Sequence, residues 1–282
     1  MRVSELNFYP LKSGRGIPLT EATITASGIP GDRQMMIVDP SGHFITQREL
    51  QALAQLVVEP KDIGVRLAIE GKGEIMVAVP PKDRRMDVAV WKSIVNAAVA
   101  DDGANEILST WLGREIKLVF FDDKAARTAS PEWAGPDTPV TFADGYQVLV
   151  TTTGSLAALN ADMDKHGEGA IGMERFRPNI VLDHGEAWAE DNWDGIEIGG
   201  IRFDFVKPCA RCIMTTQDQQ TGSRDVASPM PAMGRIRMSA DRRVPGPLFG
   251  WNAVPRSEGT IRLGDEASIT ATRDAWAIKR RA

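Results

Sequence analysis

The chain's two cysteines stand three apart in KPCARC, as Cys209 and Cys212, with Lys207 and Arg211 beside them. Thiols so placed can do four different things. A structural zinc site wants about four Cys or His ligands in a tetrahedron, and the remaining candidates, His43, His166 and His184, are scattered singly. A thioredoxin-like dithiol wants its first cysteine at a helix N-terminus, where the dipole lowers its pKa. The residues after Cys212, Ile-Met-Thr-Thr, lack a helical charge pattern and read as strand or loop. Two thiols can also pack as small hydrophobes without further consequence. Finally, flanking cations favour a thiolate. A thiolate binds soft metals, and one suffices when an organic ligand holds the rest of the metal. Spacing alone leaves these readings open.

Other polar residues suggest an anion site. Lys12, Ser13 and Gly14 follow a strand-like segment; Lys supplies a point charge, Ser a hydroxyl, and the glycines let backbone N–H groups converge on phosphate. Taken alone, KSGRG reads as an exposed basic turn. Arg33, after Gly31-Asp32, reads in isolation as an arginine paired to an acid. Arg177, before Pro178, can offer its planar fork to phosphate or to a heteroaromatic ring, or cap a strand end. Asp144 in ADGY is by composition a turn residue. Ser155 falls in a helix's first turn, where a hydroxyl can satisfy free N–H groups. Arginines at 224, 235, 237, 242 and 243 crowd an irregular stretch, 218–247, which reads as a solvated loop or a gate.

The elements that must position these residues are mostly strands. VSELNFYP, EATITASG, QMMIVDP, ALAQLVVEP, GVRLAIEG and EIMVAVP alternate with Gly- and Pro-rich turns over the first 120 residues or so. A short helix over 104–112 and a strand follow. KAARTASPEWAGPDTPV, 124–140, reads as a linker or a long surface loop. Beyond it come the strand YQVLVTT and a helix capped by Thr153, with Leu156, Leu159 and Met163 at helical spacing. PNIVLD, GIRFDFVKP, GTIRLGD and SITATRD are further strands. Trp188 and Trp193 read as core and loop anchors, and AIKRRA as a solvated basic tail.

With 282 residues, 43% hydrophobic and 25% charged, the composition is that of a soluble globular protein of one large or two medium domains. A net charge of −5 argues against nucleic acid or an anionic membrane as partner. No apolar run approaches the ~18–20 residues of a membrane span, and the N-terminus lacks an apolar signal core. Two cysteines cannot build a dense disulfide framework, which favours a reducing cytoplasm.

PCARC followed by TT, Asp218 and TG resembles the signature of the MOSC-domain proteins, named for the molybdenum cofactor sulfurase C-terminal domain, and in particular their amidoxime-reducing branch. NFYPLKSGRGIPL, GDRQMMIVD, TFADGYQVLVTTTGSLAALN, FRPNIVLD with EDNW and IGG, and FGWNAVPRSEGTIRLGDE resemble the family's other motifs in order. The resemblance implies a mainly β (α+β) fold: an N-terminal β-barrel domain, 1–122, then a MOSC β-barrel domain with peripheral helices, 123–282. It implies a molybdenum cofactor (Mo-molybdopterin) between them, with Cys212 as metal ligand and catalytic residue. Lys12, Ser13, Arg33, Asp144, Ser155, Arg177, Ala210, Arg211 and Asn252 would contact the cofactor. The implied activity is reduction of N-hydroxylated compounds (amidoximes, hydroxylamines, N-hydroxylated bases). Electrons would come from a separate donor protein of ferredoxin, cytochrome b5-like or flavoprotein type. The alternative is a cofactor-binding or sulfur-carrier protein without turnover. The chain departs from the family pattern at Gln217 and Gln219, where apolar and proline residues are expected, and at Asn252, where mitochondrial relatives carry an aromatic. It offers no further cysteines for an appended iron–sulfur domain.

Overall fold

Apolar residues in Arg2–Phe8 set the first strand, and a bulge between Val3 and Glu5 shifts the alternation so that Val3, Leu6 and Phe8 all turn inward. In the computed structural model, which describes residues 1–279, this strand pairs locally only with the short strand Ile17–Leu19. It lies antiparallel to Ile180–Asp183, with Leu6 opposite Ile180. The end of the basic tail, 280–282, lies outside the described residues.

The strand Arg2–Phe8 is thereby the seventh member of an eight-stranded sheet, ordered Ala267–Thr272, Trp193–Ile198, Ile201–Ala210, Leu248–Pro255, Val148–Thr152, Ile180–Asp183, Arg2–Phe8, Ile17–Leu19. Glu21–Ile24 pairs with Gly259–Arg262. Apart from the segment around Leu11, which bridges to Met35, the chain builds its other module from Met35 onward. That module comprises a four-stranded sheet (Met35–Val38, Lys117–Phe120, Ser93–Val99, Arg85–Val90) and a three-stranded one (Val57–Lys61, Gly64–Ile69, Gly73–Ala78). Each module buries its own core, Leu6, Ile180, Phe203 and Trp251 in one and Leu11, Ile37, Leu67 and Leu108 in the other. The mainly β architecture agrees with the expectation.

The helix Asp102–Leu112 is capped by the Asp101 carboxylate and stops at Gly113, whose φ of 68° suits a residue without Cβ. The helix Thr153–Lys165 is capped one residue earlier than its sequence suggests. The Thr152 hydroxyl accepts from the Ser155 N–H, while that of Thr153 donates to Asp183. Val148–Thr152 and Ile180–Asp183 run parallel, and this helix provides the crossover between them.

Three segments differ from the reading above. Arg85–Val90 and Ser93–Val99 form a hairpin whose turn carries Trp91 at φ 56°, with no glycine or asparagine to betray it. The residues after Cys212 make one 3-10 turn, Ile213–Thr216, rather than a strand. The stretch 218–247 is not a free loop. It contains the helix Met230–Ile236; Arg235 clamps Asp162 and Glu168, and buried Arg237 pairs with Asp191. No helix among the described residues is long and apolar enough to cross a membrane.

Candidate active site

The first strand delivers Tyr9 and Lys12 to the junction of the modules. Lys12 N–H bonds Met35 O at 2.8 Å, and the next residues turn back sharply, with Ser13 at φ 64° and Gly14 N–H on Leu11 O. Gly14 is required there, since a Cβ would stand 2.9 Å from that of Leu11. The buried Lys12 ammonium donates to Phe142 O and to the Asp144 carboxylate. Burial lowers the Lys12 pKa, and Asp144 opposes that fall. The Asp144 side chain is 71% exposed, so desolvation, which raises a carboxyl, is outweighed by Lys12 and the Trp91 indole. They hold it below the usual carboxylate range.

Two arginines share one aromatic ring. The guanidinium carbons of Arg33 and Arg177 stand 4.1 and 4.3 Å from the Tyr9 ring centre. Both residues occupy left-handed backbone, at φ 48° and 55°, which is uncommon without glycine. Arg33 pairs with buried Asp32 at 2.5 Å and donates to Asn179 Oδ1 and Arg177 O. Arg177 Nη1 donates to Gly14 O (2.7 Å) and Gln219 Oε1 (3.2 Å), while its Nη2 is buried with no partner. Burial lowers the Arg177 pKa to about 10, so it remains a cation at neutral pH. Burial also pushes the Tyr9 phenol up to about 12.

The cysteines arrive on the long strand Ile201–Ala210, whose pairing with Leu248–Pro255 slips between Pro208 and Ala210. Cys212 then caps the 3-10 turn, its carbonyl accepting from Thr215 N–H and hydroxyl. Arg175 Nη1 holds that turn from below through Thr215 O at 3.0 Å. Both thiols are free; Cys212 is exposed and Cys209 half-buried. Arg211 Nη1 donates to Cys209 Sγ at 2.9 Å and Nη2 to Phe176 O, leaving Nε buried and unpartnered. Among the described residues no group of three or more His, Cys, Asp or Glu side chains could hold a metal by itself.

These parts line one cavity of about 340 Å³. Lys12, Ser13, Arg33, Asp144, Arg177, Ala210, Arg211, Cys212 and Asn252 all border it. Ser155 does not. It is fully buried, its hydroxyl donating to the Glu190 carboxylate at 2.7 Å and accepting from Trp188 N–H. The sequence places Ser155 in the right turn but cannot say which side of the helix meets the cavity. Ser155→Ala should cost ~1–3 kcal/mol by stripping a donor from buried Glu190. Denaturant unfolding measures this; a weakened hold on anions in the cavity at unchanged stability would instead return Ser155 to the site.

Sequence reasoning gave no place in the cavity wall to Arg48, Arg175, Asn179 and Arg243, while Lys207, expected beside the cysteines, also lines it. Asn179 was in plain view beside Arg177. Arg243 was hidden among arginines with other duties. Asn252 donates to Lys207 O, across the strand pair that frames this end. Lys12 and Arg33 have carboxylate partners, but Arg48, Arg177, Lys207 and Arg211 have none within 4 Å among the described residues. The cavity therefore carries a surplus of positive charge in a molecule whose net charge is −5.

Such a chain is a two-module β protein whose cation-rich cavity has an accessible thiol at its edge. Residues 137–268 match the model of the MOSC domain and residues 1–115 that of the MOSC N-terminal beta barrel domain. The chain belongs to the MOSC-domain proteins. It is 29% identical over 286 residues to mitochondrial amidoxime-reducing component 1 of Homo sapiens, covering 93% of this chain and 81% of that one. The same component of Danio rerio is 28% identical (93% and 83% covered), and mitochondrial amidoxime reducing component 2 of Bos taurus 28% (93% and 81%).

Proposed function

We propose that the chain is a molybdenum-cofactor-dependent oxidoreductase that removes oxygen from N-hydroxylated small molecules such as amidoximes and hydroxylamines. The MOSC family implies the cofactor, and the donor set fits it. The observation that carries the reading is the pair of buried, unpartnered guanidinium N–H groups on Arg177 and Arg211, in a cavity with excess positive charge and an exposed thiol. A pterin bearing a phosphate answers all three. Lys12, Ser13, Arg33 and Arg177 would hold the anion and the pterin heteroatoms, with Asp144, Ala210 and Asn252 bordering it. Cys212 would give its thiolate to the metal, with Arg211 as the adjacent cation. When bound, the cofactor supplies a metal that takes oxygen from the substrate nitrogen and is reset by two electrons and two protons, with release of water.

The electrons come from a separate donor protein, of ferredoxin, cytochrome b5-like or flavoprotein type. Two free cysteines suit a reducing compartment, which we take to be the cytoplasm. As sequence units we take 1–122 as the N-terminal domain and 123–282 as the MOSC domain, although the strands Arg2–Phe8, Ile17–Leu19 and Glu21–Ile24 of the first unit pair into the sheets of the second. Benzamidoxime with reduced viologen tests the reading. Molybdenum-loaded protein should release benzamidine; loaded protein that makes none would point to a carrier.

A further inference from the structure

We infer that Gln219 is a positioning residue, which fixes the orientation of Arg177 and ties it to the turn carrying Cys212; this rests on the anion-binding part of the function proposed above. Gln219 is polar yet only 6% exposed, and its amide is fully used. Nε2 donates to Gln217 O (3.0 Å) and Met214 O (3.3 Å), and Oε1 accepts from Arg177 Nη1 at 3.2 Å. Met214 belongs to the turn that Cys212 caps. With Gly14 O as its second acceptor, Arg177 Nη1 has a partner for each hydrogen, so the plane of the guanidinium is set. Nη2 is buried and without a protein partner.

The backbone that presents Gln219 is fastened by the other module. Gln217 Nε2 donates to Gln51 O, Arg15 Nη2 to Gln220 O (2.6 Å) and Gln55 Nε2 to Thr221 O (2.7 Å). Gly222, at φ 78°, passes so close that a Cβ would lie 2.5 Å from Gln51 O. Gln219 thus joins the Arg177 turn, the Cys212 turn and the segment 51–55. An amide suits this place because it accepts from Arg177 without neutralising it. A carboxylate would spend the arginine's charge internally and would set oxygen against the carbonyls of Met214 and Gln217.

The test uses cofactor-free full chain and pyrophosphate as the probe, with affinity from calorimetry and stability from thermal unfolding. Gln219→Met should weaken pyrophosphate about tenfold, the worth of one bond to a charged group. Gln219→Glu should weaken it further still, because it adds a competing negative charge. In an Arg177→Met background, adding Gln219→Met should have no further effect, since the two act as one unit. A residue that merely staples the loop would lower the melting temperature and leave affinity alone. That outcome, additive losses in the double variant, or a parent chain that does not bind pyrophosphate would each overturn the inference. Failure of amidoxime reduction by loaded parent protein would strike the proposed function and leave these affinities standing.

Discussion

Cys212→Ser should strip the protein of molybdenum and of reductase activity. The loss should exceed the ~10–100-fold typical when an outer partner of a metal ligand is removed. A serine hydroxyl is a hard, protonated donor at neutral pH, whereas the proposed role needs a soft thiolate. Cys209→Ser is the necessary contrast. Cys209 Sγ lies half-buried and accepts from Arg211; a hydroxyl can accept the same N–H, so most of the metal should remain. Metal analysis of protein made in a cofactor-competent host reads both variants. Equal losses, or none, would end the assignment of a single cysteine ligand.

The second large effect concerns stability. Arg33→Met leaves Asp32 buried without its partner and should cost ~3–5 kcal/mol, the usual range for half of a buried ion pair. The loss should depend on pH. Burial raises the Asp32 pKa, and Arg33, the Tyr9 N–H and Asn179 pull it back. A carboxyl raised on folding contributes stability that is full below its unfolded pKa and falls away as pH climbs through the folded value. Without Arg33 the folded value rises further, so the penalty is largest at alkaline pH and shrinks as the carboxyl protonates. Urea titrations across pH should show this slope, and Asp32→Asn in the same chain should flatten it and recover part of the loss. A penalty independent of pH would mean that Arg33 acts through packing on Tyr9 instead.

What the sequence revealed follows from where its signals are local. Strands bounded by glycine and proline, such as those around IPGDRQ and IEGKGE, were legible because turn chemistry is written in adjacent residues. The Trp91 hairpin was not, because its left-handed position is held by tertiary contacts. The Trp91 ring packs against Phe44 and beneath Arg48, and its indole donates to Asp144. The site shows the same division. Lys12, Arg33 and Arg177 stand in recognisable motifs, yet what joins the two arginines is Tyr9, a residue not singled out in its motif, with both guanidinium groups on its ring. Gln219 was visible only as a departure from the family pattern. Its use depends on a bond to Arg177, 42 positions earlier.

The placement of the first strand also governs timing. Ser4 donates to Val181 O, 177 positions along the chain. As synthesis proceeds at ~5–20 residues per second, Arg2–Phe8 is made well before Ile180–Asp183, and until that strand emerges its one sheet neighbour is the three-residue Ile17–Leu19. Such distant pairing carries a high loop-closure cost, which delays folding. The cradle of Lys12, Arg33 and Arg177 therefore cannot exist on a half-made chain. Whatever loads the cofactor must act after Ile180–Asp183 has emerged and joined Arg2–Phe8, and a ribosome stalled before residue 180 should present nothing for it to fill.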